Sequence, residues 1–330
     1  MTGTTLGRAL WKPSKYSLQR LVILGVLVSL VLAMTFSTDN FLTINNVNNI
    51  LKQTAFTVLT GSAALLLVVS GNIDLSVGSV LATTCVIFAF LCKGGVAIWA
   101  AALASMITGA MIGLVNAIVS VRFKIPAIIA TIISMYVFRG FAYSICKANP
   151  VVVPFSVANF SFLGRGYIGG IILVPVVLMI VFVALFIFIE KKTLIGKYAT
   201  AIGGNKLSAV LSGINVGRVQ TILFILTGAM AGLSGAVMAS RLGSGDPTVG
   251  QGFEFDVMIA IILGGTNING GEGSVVGAVI GAFIVGILNN GMNQLGIQSF
   301  YQFVVKGVVL ALAIIFDQFM KSRIMTSRTR

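Results

Sequence analysis

Residues 190–218 read EKKTLIGKYATAIGGNKLSAVLSGINVGR, the longest polar stretch in a chain otherwise built of apolar runs. What flanks it fixes the fold class. A bilayer core of about 30 Å takes roughly 20 mainly apolar residues per helix. On that measure ten spans are expected, at 20–37, 52–70, 74–92, 95–120, 126–145, 168–189, 218–240, 253–267, 273–292 and 300–319. The span at 253–267 is the weakest, short and acid-flanked, and a re-entrant or broken helix is the alternative there. The 330 residues are 57% hydrophobic and 9% charged with a mean hydropathy of +1.03, where a soluble domain carries about 25% charged residues. This excludes an ordinary soluble enzyme, a disordered chain and a disulfide scaffold. The fold class expected is an all-α membrane protein of about ten transmembrane helices.

The charge is sorted by side. With the amino terminus inside, about fifteen of the 22 Lys and Arg fall on cytoplasmic ends, including Arg8, Lys12, Lys15 and Arg20, the group Lys191 to Arg218, and Lys321 to Arg330. About five, Lys52, Lys93, Lys147, Arg165 and Arg241, fall outside. Such asymmetry places both termini in the cytoplasm. The net charge of +14 is then topology and not a nucleic-acid footprint. The expected organisation is a cytoplasmic segment 1–20, a polytopic domain 21–320 carrying the internal loop 190–217, and a cytoplasmic tail 321–330. The basic start followed by an apolar run resembles a signal peptide. It lacks a small-residue cleavage site, and an uncleaved first transmembrane helix is expected. Residues 41–51, FLTINNVNNIL, read as an interfacial amphipathic helix leading into the second span.

Several chemistries are missing. The chain contains no His, so His-based acid–base, triad or metal chemistry has no residues to use. No P-loop occurs, and the GxGxxG at Gly164 to Gly169 follows no strand and carries no dinucleotide reading. No cofactor, metal or catalytic residue is expected. The eight acids all fall at predicted span ends or in loops, which argues against a proton or sodium relay. Cys85, Cys92 and Cys146 form no CxxC pair and read as apolar fillers.

Within the internal loop, Asn205 can cap a short helix, Leu207, Val210, Leu211 and Ile214 share a face, and Gly213 can end it. An exposed apolar face of this kind needs a partner; lipid headgroups are the alternative. SGNIDLSVGS (70–79) and GGTNINGGEGS (264–274) sit at cytoplasmic junctions, where Asp74 can cap the third span and Glu272 lies near the next helix start. Caps and turns account for both. A gate would be laid over them, with Asp74, Ser76 and Asn267 as its candidates. Asn116, Thr131, Ser134, Asn289, Asn290 and Asn293 are candidates to line a wet path for a hydroxylated solute, or interhelical hydrogen bonds. Arg139 and Lys306 either pair with acids or snorkel. Glycines four apart (109/113, 228/232, 273/277/281) allow close helix packing. Thr108–Ala117 and Thr227–Ala236 share a TGAM-x-GL pattern that a chain so rich in Gly and Ala can produce by chance.

Together GNIDLSVGS, TLIGKYATAIGGNKLSAVLSGINV, Ser240-Arg241-Leu242-Gly243-Ser244, EFDVMIAIILGGTNINGGEGS and GILNNGMNQLGI resemble the permease subunits of bacterial ABC importers for ribose and related monosaccharides, from about residue 41 to 317 and in the same order. The resemblance implies a plasma (inner) membrane subunit that is not an enzyme. Two copies would form the path, with a separate ABC ATPase below and a periplasmic or lipoprotein sugar-binding protein above, surrounded by lipid. It makes the internal loop a coupling helix to the ATPase, comprising Gly203, Gly204, Asn205, Leu207, Ala209, Val210, Leu211, Ser212, Gly213 and Ile214. A stand-alone secondary sugar transporter or facilitator is the alternative, and a membrane scaffold a third reading.

Overall fold

A computed structural model describes residues 15–154, 157 and 159–326; most of the expected segment 1–20 and the end of the tail 321–330 lie outside the described residues. In chain order the elements are α1 (Lys15–Ser37), α2 (Ile44–Val69), α3 (Val77–Lys93), α4 (Ile98–Ala117) running into a π-helical turn (Ile118–Arg122), α5 (Ala127–Cys146), β1 (Val151–Val152), α6 (Phe162–Arg165), β2 (Tyr167–Ile168), β3 (Ile172–Leu173), α7 (Val174–Lys192), α8 (Leu194–Gly204), α9 (Lys206–Leu211), α10 (Val216–Leu242), β4 (Ser244–Gly245), α11 (Phe253–Leu263), α12 (Val275–Gln294) and α13 (Ser299–Thr326). Among the described residues six helices are long and apolar enough to cross a membrane: α2, α4 with its π turn, α5, α7, α10 and α12.

Helices α2, α10 and α12 form the centre, buried along most of their length, while α4, α5 and α7 turn much of their apolar surface outward. Small residues set the closest approaches. A Cβ at Gly109 would meet the Gly228 carbonyl, one at Gly113 the Phe224 carbonyl and one at Gly232 the Ser105 carbonyl. Partner numbers fall as α4 numbers rise, so the two TGAM-x-GL segments face each other in antiparallel register. Gly277 and Gly281 seat α12 in the same way against Ala260 of α11 and Gly264 just after it, which assigns that glycine stripe to packing within the chain.

The boundaries depart from the apolar runs in four places. The span expected from residue 168 starts at Val174, because Tyr167–Ile168 and Ile172–Leu173 pair as an antiparallel hairpin around left-handed Gly169 and Gly170. Residues 41–51 do not form a separate interfacial helix. From Ile44 onward they are the first turns of α2, and Phe41 and Ile50 are buried against Ile287. The helix expected from residue 74 starts at Val77 after a non-helical approach, and the one expected over 253–267 is only the eleven-residue α11.

Candidate functional site

Two regions carry chemistry, one at the loop end and one deep in the bundle. At the loop end, α8 and α9 are separate helices broken at Asn205, whose φ of −157° and ψ of 103° are extended. Asn205 Oδ1 accepts from Ser208 N at 2.9 Å, starting α9. At the other end Ser212 follows the last turn, Gly213 takes φ +80°, and Ile214 N donates back to Ala209 O at 3.1 Å. Leu207, Val210 and Leu211 are 70%, 52% and 80% exposed, an apolar face with no cover among the described residues. Ala209 is buried on the opposite side. Ile214 departs from the expected face and packs against the core.

Gly203 and Gly204 belong to the end of α8, not to α9. A Cβ at Gly203 would strike the Val69 carbonyl and the backbone of Gly270 and Gly271. Gly271 N donates to Val69 O at 2.8 Å, so α8, the end of α2 and the 264–274 loop meet at one point. Asn267 Oδ1 in that loop accepts from Asn269 N at 3.0 Å. The carboxylate at the start of α12 is not Glu272: Glu190 Oε2 from the end of α7 accepts from Val275 N at 3.0 Å. Sequence reasoning missed this because the partners are 85 positions apart.

In the bundle, two helices begin part-way through it. Phe253, the first residue of α11, has its ring 5.9 Å from that of Phe56, which lies at the middle of the 26-residue α2. The first turns of α3 and α11 touch there, since a Cβ at Gly78 would meet the Glu254 carboxylate and the Gly250 carbonyl. Each helix is approached by irregular backbone, which is tolerated at such depth only where protein or water satisfies it. Arg139 supplies part of that on one side, donating to the carbonyls of Pro247, at 3.0 Å, and Val249. Asp74 supplies it on the other. Its Oδ1 accepts from Ser76 N at 2.8 Å and Ser76 Oγ at 2.6 Å, so it closes the turn before α3 and does not cap the helix itself.

Four of the residues expected near the gate or path meet at this point. Asn116 donates to Ser76 Oγ at 2.8 Å and Thr131 Oγ1 accepts from Leu75 N at 3.2 Å, joining α4 and α5 to the approach to α3. Ser134 is also buried, one turn on from Thr131. Replacing Asp74 by Ala should lower the thermal midpoint in detergent, because a buried donor left without its acceptor costs about 1–3 kcal/mol. Asp74→Asn, which keeps an acceptor, should reduce uptake only moderately.

The remaining asparagines divide. Asn290 and Asn46 exchange hydrogen bonds of 2.8 and 3.0 Å and are buried, an interhelical clasp between α12 and α2. Asn293 is exposed and accepts from Gln302 at 2.9 Å. Asn289 donates to Asp256 at 3.3 Å, and Asp256 is paired with Lys306 of α13 at 2.8 Å. Asp256 lies in the first turn of α11, at a helix end as expected, but that end is packed inside the bundle and Asp256 is buried there. Lys306→Met should destabilise the chain by about 3–5 kcal/mol by stranding the carboxylate. The double variant Lys306→Met/Asp256→Asn should regain most of that in a thermal unfolding measurement.

The geometry sets an exposed apolar helix at one end of the bundle and opposed part-helices within it. No solved structure matches the chain. The sequence pattern of the family described as "Branched-chain amino acid transport system / permease component" matches residues 46–314. The ribose import permease protein of Escherichia coli K12 is 37% identical over 320 residues, 96% of this chain and 99% of the relative. That of Bacillus subtilis is 38% identical, covering 89% and 91%. An L-arabinose ABC transporter permease protein of Azospirillum brasilense is 32% identical, covering 90% and 88%. With the match spanning the bundle and the loop alike, the chain belongs to this permease family.

Proposed function

We infer that the protein is the membrane subunit of an ATP-driven ABC importer for a monosaccharide, ribose or a close relative. The observation that carries this reading is the uncovered face of α9, Leu207, Val210 and Leu211, hung from α8 at the junction of α2 and the 264–274 loop. A separate ATPase seats on that face, and its closure moves α8 against Val69 and Gly271, which are tied to the approaches to α3 and α12. Two copies form the path in the bacterial inner membrane, and a sugar-binding protein delivers from the outer side. Ten crossings with both termini in the cytoplasm put α8 and α9 on the ATPase side. In this count α11 and its irregular approach make one crossing, as do α1, α3 and α13. Asp74, Ser76, Asn116, Thr131 and Ser134 hold the inner approach to the path, and Asn267 lies in the loop that α8 touches. The full-length relatives, named for ribose, arabinose and D-allose transport, support the substrate class.

The test is ATP hydrolysis by the assembled complex in nanodiscs. Ribose-loaded binding protein should stimulate it when this chain is present and leave the isolated ATPase unaffected. Equal hydrolysis with and without the chain would overturn the reading.

A further inference from the structure

Between the start of α11 and the outer half of α13 lies a cleft of about 180 Å³ lined by Gln251, Ser299, Gln302, Phe303 and Lys306. Gln251 is exposed although it lies two residues before Phe253, which packs at the middle of α2. The lining lies at the outer end of α13, with Ser299 and Gln302 in its first turn and Lys306 one turn further in, where amide and ammonium groups open to the surface are served by water and not by hydrocarbon, in which an unsatisfied polar group costs several kcal/mol. They must face water or a second copy across water. We propose that this cleft lines the translocation path and binds the hydroxyl groups of an uncharged sugar, a placement that rests on the importer reading above.

The chemistry of the lining selects that ligand. The Asp256 carboxylate neutralises Lys306, so the cleft offers no net charge to hold an anion. The ammonium has three donors and keeps an N–H for a ligand. Gln302 spends its NH₂ on Asn293 Oδ1 and Ile297 O, both at 2.9 Å, which leaves its carbonyl oxygen to accept. Gln251 adds an amide able to do both. Donors and acceptors set side by side fit neighbouring hydroxyls, and the Phe303 ring, seated against Gly252, offers an apolar wall for sugar C–H groups. Gln251, Gln302 and Ser299 were not among the residues the sequence singled out, because a lone amide in an apolar run carries no pattern.

The test is cysteine accessibility in the full importer reconstituted in proteoliposomes, with a membrane-impermeant thiol reagent. Wild type serves as the blank, since Cys85, Cys92 and Cys146 are buried. Gln251→Cys and Gln302→Cys should react about tenfold or more faster than Val304→Cys, an apolar position 63% exposed on the same helix, because only the former meet water. A mixture of D-ribose, L-arabinose and D-allose should slow the reaction at 251 and 302. Labelling at these positions no faster than at 304 overturns the path assignment whatever sugar is carried. Fast labelling that the sugars leave unchanged, in a complex that imports one of them, overturns the binding role. Failure of the wild-type complex to import any of the three overturns the sugar class proposed above, while the contrast with 304 still decides the path.

Discussion

Leu211→Asp is expected to abolish ATP-coupled uptake while the chain inserts normally and keeps its thermal midpoint. Leu211 is 80% exposed, and substitutions at such surface positions usually change stability by less than about 0.5 kcal/mol. Within a docked interface the same carboxylate loses its water without gaining a partner. A penalty of about 3 kcal/mol or more weakens association about a hundredfold or more. Leu207→Asp on the same face should behave alike. Gly213→Pro should have a similar outcome by another route, since Gly213 takes φ +80° and proline is locked near −65°. The readouts are uptake, ATPase rate and unfolding temperature measured on one preparation. A loss of uptake accompanied by an equal loss of folded protein would remove the docking explanation.

The largest structural effect is expected at the α4–α10 seam. Gly109→Leu places a side chain where the Gly228 carbonyl already sits, so two backbones must separate and the contacts above and below are lost together. Overpacking with a few methylenes costs about 1–3 kcal/mol when side chains can shift; here backbone must move, and the cost should exceed that range. Gly140→Ala is the control, because nothing lies within 4 Å of the position a Cβ would take there. The first variant should give little monodisperse protein in detergent and the second a wild-type amount. Comparable yields from both would mean that the helices do not meet at these glycines.

What the sequence discloses depends on whether the cause is local. The long apolar runs announce α2, α4, α5, α7, α10 and α12 because removal from water is written in composition. The ends of α9 are readable for a similar reason: Asn205 bonds three residues ahead and Gly213 supplies its own backbone angle. The hairpin before α7 was obscured by its apolar strands, although the Gly169-Gly170 pair between β-branched residues is a turn signal. The late starts of α3 and α11 left no such trace. They depend on Arg139 reaching carbonyls 108 and 110 positions away and on Asn116, 40 positions from Ser76, tying down the local Asp74–Ser76 turn. The same holds for Glu190 at the start of α12 and for the Asn46–Asn290 clasp. Charges that look peripheral in a linear reading, Asp256 and Lys306 among them, enter the bundle because its helices do not all begin at its ends.

The central claim, that this chain forms a path powered by another subunit, is tested most directly by sugar uptake into proteoliposomes. The chain reconstituted with its ATPase and binding protein should concentrate ribose only with ATP available to the ATPase, and removing any one component should end accumulation. Concentrative uptake by this chain alone, with or without an imposed ion gradient, would contradict the account.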